Sequence, residues 1–186
     1  MEVKRELLKM IRELSYEKRE VTLASGLKSD FYIDMRVTLL HPRGVQLAAQ
    51  LMCENLRSLD GKLRGVGGMT MGADPIVTGV SLSSQIQGWK QPLLALYIRK
   101  EPKGHGLGQW CEGLKNFKKG DRIFILEDTV TTGGSSLKAV DKAREAGLEV
   151  QGVFTCVDRE EGAREKIEAG GLEFRTLITK SDILQA

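Results

Sequence analysis

Short β-branched runs alternate with amphipathic stretches along most of the chain, a pattern that predicts an α/β fold with a largely parallel sheet. Leu7, Leu8, Met10 and Ile11 fall at helical spacing and open the chain with a helix. An extended Asp30-Phe31-Tyr32-Ile33-Asp34 follows, with Phe31 and Ile33 on one face and Tyr32 on the other. Residues 42–59 read as a helix with Pro42 in its first turn, burying Val45, Ala48, Leu51, Met52, Leu56 and Leu59. A strand at 63–67, a helix at 73–89 and a strand at 93–99 come next. The four apolar residues Ile123-Phe124-Ile125-Leu126 make 121–126 a central strand covered on both faces. A crossover helix at 135–146 stops at Gly147; then come a strand at 149–157, a helix at 161–169, a strand at 174–178 and a last turn from Thr179. The order predicts a doubly wound, mostly parallel sheet, which binds ligands beyond the carboxyl ends of its strands.

The 186 residues fit one domain, 1–186, in which roughly 70% of the unfolded surface can be buried. Neither an internal repeat nor a low-complexity linker divides it. Cys53, Cys111 and Cys156 stand far apart without a C-x-x-C pair, which points to a reducing cytoplasm. The first residues carry no signal-peptide pattern, and no run approaches the ~18 apolar residues of a membrane span. A net charge of +3 is too small to argue for nucleic acid. Its distribution is informative: residues 99–119 hold six Lys or Arg against Glu101 and Glu112, so this one segment outweighs the rest of the chain. A local basic loop on a near-neutral body suits a small anionic ligand.

The sharpest chemical signal is Glu127-Asp128-Thr129-Val130-Thr131-Thr132-Gly133-Gly134-Ser135, between the central strand and its helix. Hydroxyls and glycines at a helix N-terminus supply backbone N–H groups and a favourable dipole for a phosphate. The two carboxylates repel phosphate and suit ribose hydroxyls or a neighbouring cation. No Gly-Lys-Ser/Thr closes the loop, so a Walker A site is excluded; the plainer alternative is a strand-to-helix turn capped by Thr and Ser. In Arg99-Lys100-Glu101-Pro102-Lys103-Gly104-His105-Gly106, three cations and one of two histidines crowd together, and Gly104, Gly106 and Gly108 give the segment freedom to move. The plain alternative is solvated surface. Residues 67–75 form a glycine-rich turn that misses the G-x-G-x-x-G spacing of a dinucleotide site. Arg159 follows a strand, where its fork would fit a carboxylate or merely a surface partner. His41 reads as a cap, and the absence of a His/Cys cluster leaves a structural zinc without ligands.

Together these segments resemble the orotate phosphoribosyltransferases, type I phosphoribosyltransferases in which the strand-acid-acid-loop unit binds phosphoribosyl pyrophosphate (PRPP). The resemblance runs from Leu23 to the C-terminal residues 179–184, in the family's order. It implies that Glu127 and Asp128 bind the ribose hydroxyls, that the loop from Thr129 and Val130 through Thr131, Thr132, Gly133 and Gly134 to Ser135 holds PRPP and its 5-phosphate, and that Thr131 and Arg159 contact orotate. The basic segment resembles the family's catalytic loop, so that Arg99, Lys100, Lys103 and His105 would contact PRPP, with Lys103, His105 and Arg99 assisting departure of the leaving group. It further implies Mg²⁺ held mainly by PRPP, a homodimer sharing that loop, no nucleic-acid or membrane partner, and an N-terminal hood (1–40) over a PRPP-binding core (41–186). Residues 23–34 are similar to the family's orotate-covering segment and 67–75 to its pyrophosphate loop. Some members carry Lys where Ala24 and Met71 stand, so those contacts do not transfer. A purine or uracil phosphoribosyltransferase would share 127–135 but lack the 99–105 spacing, and a PRPP-sensing regulator would need a nucleic-acid surface.

Overall fold

Helix α1 (Glu2–Leu14) enters the core through Leu7 and Ile11, four residues apart on one face and both fully buried. The structure, a computed structural model, describes residues 2–22, 28–101 and 110–186, with side chains for 2–19, 31–101 and 110–186 among them. Strands β1 (Tyr16–Thr22) and β2 (Lys28–Ile33) pair antiparallel, so the extended segment foreseen at 30–34 is one arm of a hairpin. The charged Tyr-Glu-Lys-Arg-Glu run hid the other arm, because it lacks the apolar alternation that marks a half-buried strand.

Asp34 caps the short helix α2 (Met35–Leu39), and His41 caps α3 (Pro42–Leu56), its Nδ1 accepting the Arg43 N–H at 3.2 Å. The cap role expected of His41 and the first-turn position of Pro42 are both observed. Past Leu56 the chain tightens into a 3-10 turn at Arg57–Leu59. Leu47, Ala48, Ala49, Met52, Cys53 and Leu56 are buried in α3, whereas Val45, Leu51 and Leu59 are only partly covered. The expected stripe is thus rotated and widened, because α1 and α4 (Asp74–Ile86) both pack on this helix.

Strands β3 (Gly65–Met69), β4 (Leu94–Ile98), β5 (Cys111–Glu112), β6 (Arg122–Val130), β7 (Glu149–Asp158) and β8 (Glu173–Thr179) form one sheet in the order β5-β4-β3-β6-β7-β8. All pairs are parallel except β4 with β5. That edge strand is too short for alternation to reveal it. Helices α5 (Gly134–Glu145), α6 (Ala163–Ala169) and α7 (Lys180–Gln185) complete the chain. Thr179 and Asp182 close a reciprocal capping box at the last turn, where a turn was foreseen.

Four consecutive residues of β6 have no exposed surface: Phe124 and Leu126 join the core shared with α1, α3 and α4, while Ile123 and Ile125 join the one shared with α5 and α6. The sheet is covered on both faces, as its apolar run requires. Gly68 allows α4 to start against β3, since a Cβ there would lie 2.5 Å from that of Ala73 and 2.8 Å from the Leu126 carbonyl oxygen. From β3 the chain crosses to β4 on one side and later returns to β6 on the other. The crevice beyond the carboxyl ends of β3 and β6 is therefore the topological switch point.

The three cysteines are free and buried. Burial raises the thiol pKa of Cys53 to about 12 and that of Cys111 to about 11, the state of inert core residues. Among the described residues no helix is long and apolar enough to cross a membrane.

Candidate active site

The switch-point crevice holds a cleft of about 460 Å³ lined by Arg36, Met69, Thr70, Met71, Gly72, Lys100, Glu127, Asp128, Thr129 and Ser135. Strand β6 does not end at 126 as its hydrophobicity suggested; the ladder to β7 continues to Val130 paired with Asp158. The two acids are therefore held by the sheet and not by a loose turn. Successive strand residues leave opposite faces. Glu127 turns toward α5, where Ser136 Oγ donates to its Oε1 at 2.9 Å. Asp128 turns toward the 70–72 turn, so closely that a Cβ on Gly72 would lie 2.8 Å from its Oδ2.

Both carboxyls are pushed toward the protonated form. Glu127 is 6% exposed, and burial raises its pKa to about 7, with the Ser136 bond opposing and the Asp128 charge adding to the shift. Burial also raises Asp128, against the hydrogen bond from the Thr129 N–H to Oδ1 at 2.7 Å; Asp34 pushes it further up and Arg36 pulls it down. Hydroxyl groups of a ligand in the cleft would serve as donors to the carboxylates.

Beside the cleft, a recess of about 290 Å³ is lined by Glu127, residues 129–136 and Lys138. Gly133 occupies the cap of α5 with φ +74°, a conformation that favours glycine, and no side chain caps the helix. The Thr and Ser hydroxyls do not serve as the cap an ordinary turn would have used. The first-turn N–H groups remain available for an anion, next to carboxylates that would reject it. A ligand carrying a phosphate a few bonds from vicinal hydroxyls satisfies both.

On the other side, a third cavity of about 400 Å³ shares Thr70, Met71 and Lys100 with the cleft and adds Asp74, Tyr97, Arg99, Glu101 and Glu112. Arg99 Nη1 donates to Glu112 Oε1 at 3.0 Å. Lys103 and His105, with the glycines around them, lie outside the described residues, as does Ala24.

Of the residues singled out in the sequence, Glu127, Asp128, Thr129, Ser135 and Lys100 come together in the central cleft. Val130, Thr131, Thr132, Gly133 and Gly134 surround the adjoining recess, and Arg99 the outer one. Arg159 stands apart. Its Nη2 donates to the Phe31 carbonyl at 3.3 Å, and its Nε lies 3.2 Å from Glu161 Oε1 without the alignment of a hydrogen bond. The next residue, Glu160, has φ +58°, and its carboxylate accepts from Ser181 N–H and Oγ at 2.8 and 2.7 Å, tying the Arg159 segment to α7.

Two contributors escaped sequence reading. Ser136 follows an equally plausible Ser135, and nothing in the spacing distinguishes them. Arg36 stands two residues after a capping aspartate, in a segment noticed only for its aromatics. Among the described residues no three His, Cys, Asp or Glu converge on a metal cage. The adjacent Glu127 and Asp128 fit Mg²⁺ that arrives with substrate oxygens as its main ligands, since Mg²⁺ is usually bound by one or two carboxylates plus phosphates.

No family model matches the chain. It is 46% identical over 182 residues to the orotate phosphoribosyltransferase of Bradyrhizobium diazoefficiens, covering 97% of this chain and 95% of the relative. The Mycobacterium tuberculosis H37Rv orotate phosphoribosyltransferase, solved with Fe(III) dicitrate, superposes with a TM-score of 0.81 at 38% identity, covering 97% of this chain and 98% of that one. The same mycobacterial enzyme solved in complex with PRPP gives a TM-score of 0.77 at 36% identity, covering 97% of this chain and 98% of that one.

Proposed function

The chain belongs to the orotate phosphoribosyltransferase family, and on that premise we propose that it transfers ribose 5-phosphate from PRPP to orotate, giving orotidine 5′-monophosphate and pyrophosphate for pyrimidine synthesis. One observation carries the reading beyond relatedness. The buried Glu127, the partly buried Asp128 beside it and the uncapped N-terminus of α5 lie in adjoining cavities at the switch point of the sheet. A ribose bearing a 5-phosphate matches that arrangement of acceptors and donors.

In this reading the recess of residues 129–135 holds the 5-phosphate, and Glu127 and Asp128 accept hydrogen bonds from the ribose hydroxyls. Thr131 and Arg159 hold orotate, Arg159 by turning its fork from Glu161 and the Phe31 carbonyl to the orotate carboxylate. A ring nitrogen of orotate, losing its proton to the departing pyrophosphate or to solvent, then forms the bond to C1 of the ribose as the bond to the diphosphate oxygen breaks, its electron pair leaving with pyrophosphate. Positive charge develops on the sugar, and negative charge on the leaving group. Arg99, Lys100, Lys103 and His105 offset the latter, an electrostatic contribution that often accounts for ~10²–10³-fold in rate per donor. When bound, Mg²⁺ supplies further charge neutralisation on the diphosphate, with Glu127 and Asp128 the residues placed to hold it.

We also read residues 1–40 as a hood over the 41–186 core, the active unit as a homodimer sharing the basic loop, and the cytoplasm as its compartment. The test of the reaction is the absorbance change on mixing the protein with orotate, PRPP and Mg²⁺, repeated with adenine, hypoxanthine and uracil. Turnover with orotate alone is expected. Inactivity with orotate would sink the reading.

A further inference from the structure

The paired carboxylates Glu127 and Asp128 pose a charge problem for any diphosphate that approaches them. Among the described residues lining the central cleft, only Arg36 and Lys100 are cationic. Met71, at the tip of the turn after β3, is 74% exposed and brings no charge. Lys100 is an exposed side chain just past the end of β4, and among the described residues no hydrogen bond or ion pair fixes it. Arg36 is different. Its Nε donates to Asp34 Oδ1 at 2.8 Å and its Nη2 to Asp34 Oδ2 at 2.7 Å, a bidentate clamp. Asp34 is fixed in turn because the same Oδ1 accepts the Arg36 backbone N–H at 3.1 Å while capping α2. Among the described residues no bond uses Nη1, so part of the fork is left for a ligand while the rest is anchored.

We propose that Arg36 binds the diphosphate of the substrate, a preset cation lining the same cleft as Lys100. The proposal deepens the phosphoribosyl-transfer reading given above and rests on it. The location selects the diphosphate over the other anionic groups. The 5-phosphate belongs to the recess at the N-terminus of α5, which Arg36 does not line. The orotate carboxylate is assigned to Arg159, which does not line the cleft. Arg36, Lys100 and the 70–72 turn line one cleft together with Asp128, and in the reading above the group leaving C1 departs within that cleft. Proximity to Asp128 agrees, since each tunes the other's ionisation.

The experiment compares the full-length protein with Arg36→Ala and Arg36→Lys, using inorganic pyrophosphate with Mg²⁺ as the probe. Calorimetric titration gives its affinity directly, steady-state kinetics give the KM for PRPP and for orotate, and a thermal melt checks folding. Arg36 is more than half exposed, so all three proteins are expected to fold. The expected result for Arg36→Ala is pyrophosphate affinity and PRPP KM worsened by about tenfold to a hundredfold, the range for a charged hydrogen bond, with orotate KM nearly unchanged. Arg36→Lys keeps the charge and loses the fork, so it should recover part of the affinity. Equal pyrophosphate affinity in the wild type and Arg36→Ala overturns the proposal, as does a rise in orotate KM alone. If the wild type fails to turn over orotate while Arg36→Ala still weakens pyrophosphate binding, the reaction assignment falls and the diphosphate site stands.

Discussion

Glu127 offers a measurement in which burial, charge and function can be separated. Replacing it with Gln keeps the shape and lets Ser136 Oγ go on donating to the side-chain oxygen, but removes the ability to ionise. The carboxyl titrates near its ordinary 4.5 in the unfolded chain and at about 7 in the folded one. Between those values the folded protein holds a proton that the unfolded chain has released, so stability falls as pH rises through the window and then levels off. At roughly 1.4 kcal/mol per pKa unit, the full cost of ionising Glu127 above pH 7 is about 3 kcal/mol, an upper value if water enters the cleft. Glu127→Gln is free of that cost. Ligand-free Glu127→Gln should therefore melt about 5–10 °C higher than the wild type at pH 8, at the few degrees per kcal/mol typical of a chain this size, with the gap closing toward pH 5. Differential scanning calorimetry at several pH values checks it. An offset that does not vary with pH, or a variant less stable at pH 8, would refute the account of a strained buried carboxylate.

Two further outcomes are expected. Lys103→Ala should lower kcat by at least about tenfold while the melting temperature stays put, because a contact to the leaving group matters most in the transition state; an unchanged kcat in the orotate assay would remove Lys103 from the chemistry. Gly68→Ala places a methyl group against Ala73 and the Leu126 carbonyl, so denaturant unfolding should show a loss of about 1–3 kcal/mol, and undiminished stability would mean that the contact between β3 and α4 gives way easily.

How far the sequence foretold the molecule depended on whether a feature was local. The central strand was legible because four apolar residues with two covered faces leave little else for β6 to be. Its true end was not, because the acids at 127 and 128 look like a turn by polarity, yet the ladder with β7 satisfies their backbone groups and carries them within the sheet. The glycine-rich turn into α5 was legible for the same local reason: its glycines and hydroxyls are contiguous. Arg36 and Ser136 were not, since their roles arise from neighbours distant in the chain or from a choice between two adjacent serines. The buried face of α3 was misjudged because periodicity reports one apolar stripe, while contact with both α1 and α4 buries a wider one. The hairpin of β1 and β2 escaped because a strand with charged side chains leaves no period-2 trace.

The proposed site also divides into parts with different ancestry in the chain. Everything proposed to hold the ribose and its phosphate is written in one uninterrupted passage, β6 through the start of α5, whereas Arg36, the 70–72 turn, Lys100 and Arg159 are drawn from four separate stretches. The first part is a portable cassette, able to keep its grip on a phosphorylated sugar while the surrounding text is rewritten. The second is an ensemble that must be re-edited in several places at once to accept a new partner for that sugar. Drift in specificity would thus accumulate at the scattered positions first, and a chimera exchanging only the cassette should alter the choice of base only through Thr131, its one proposed contact with orotate.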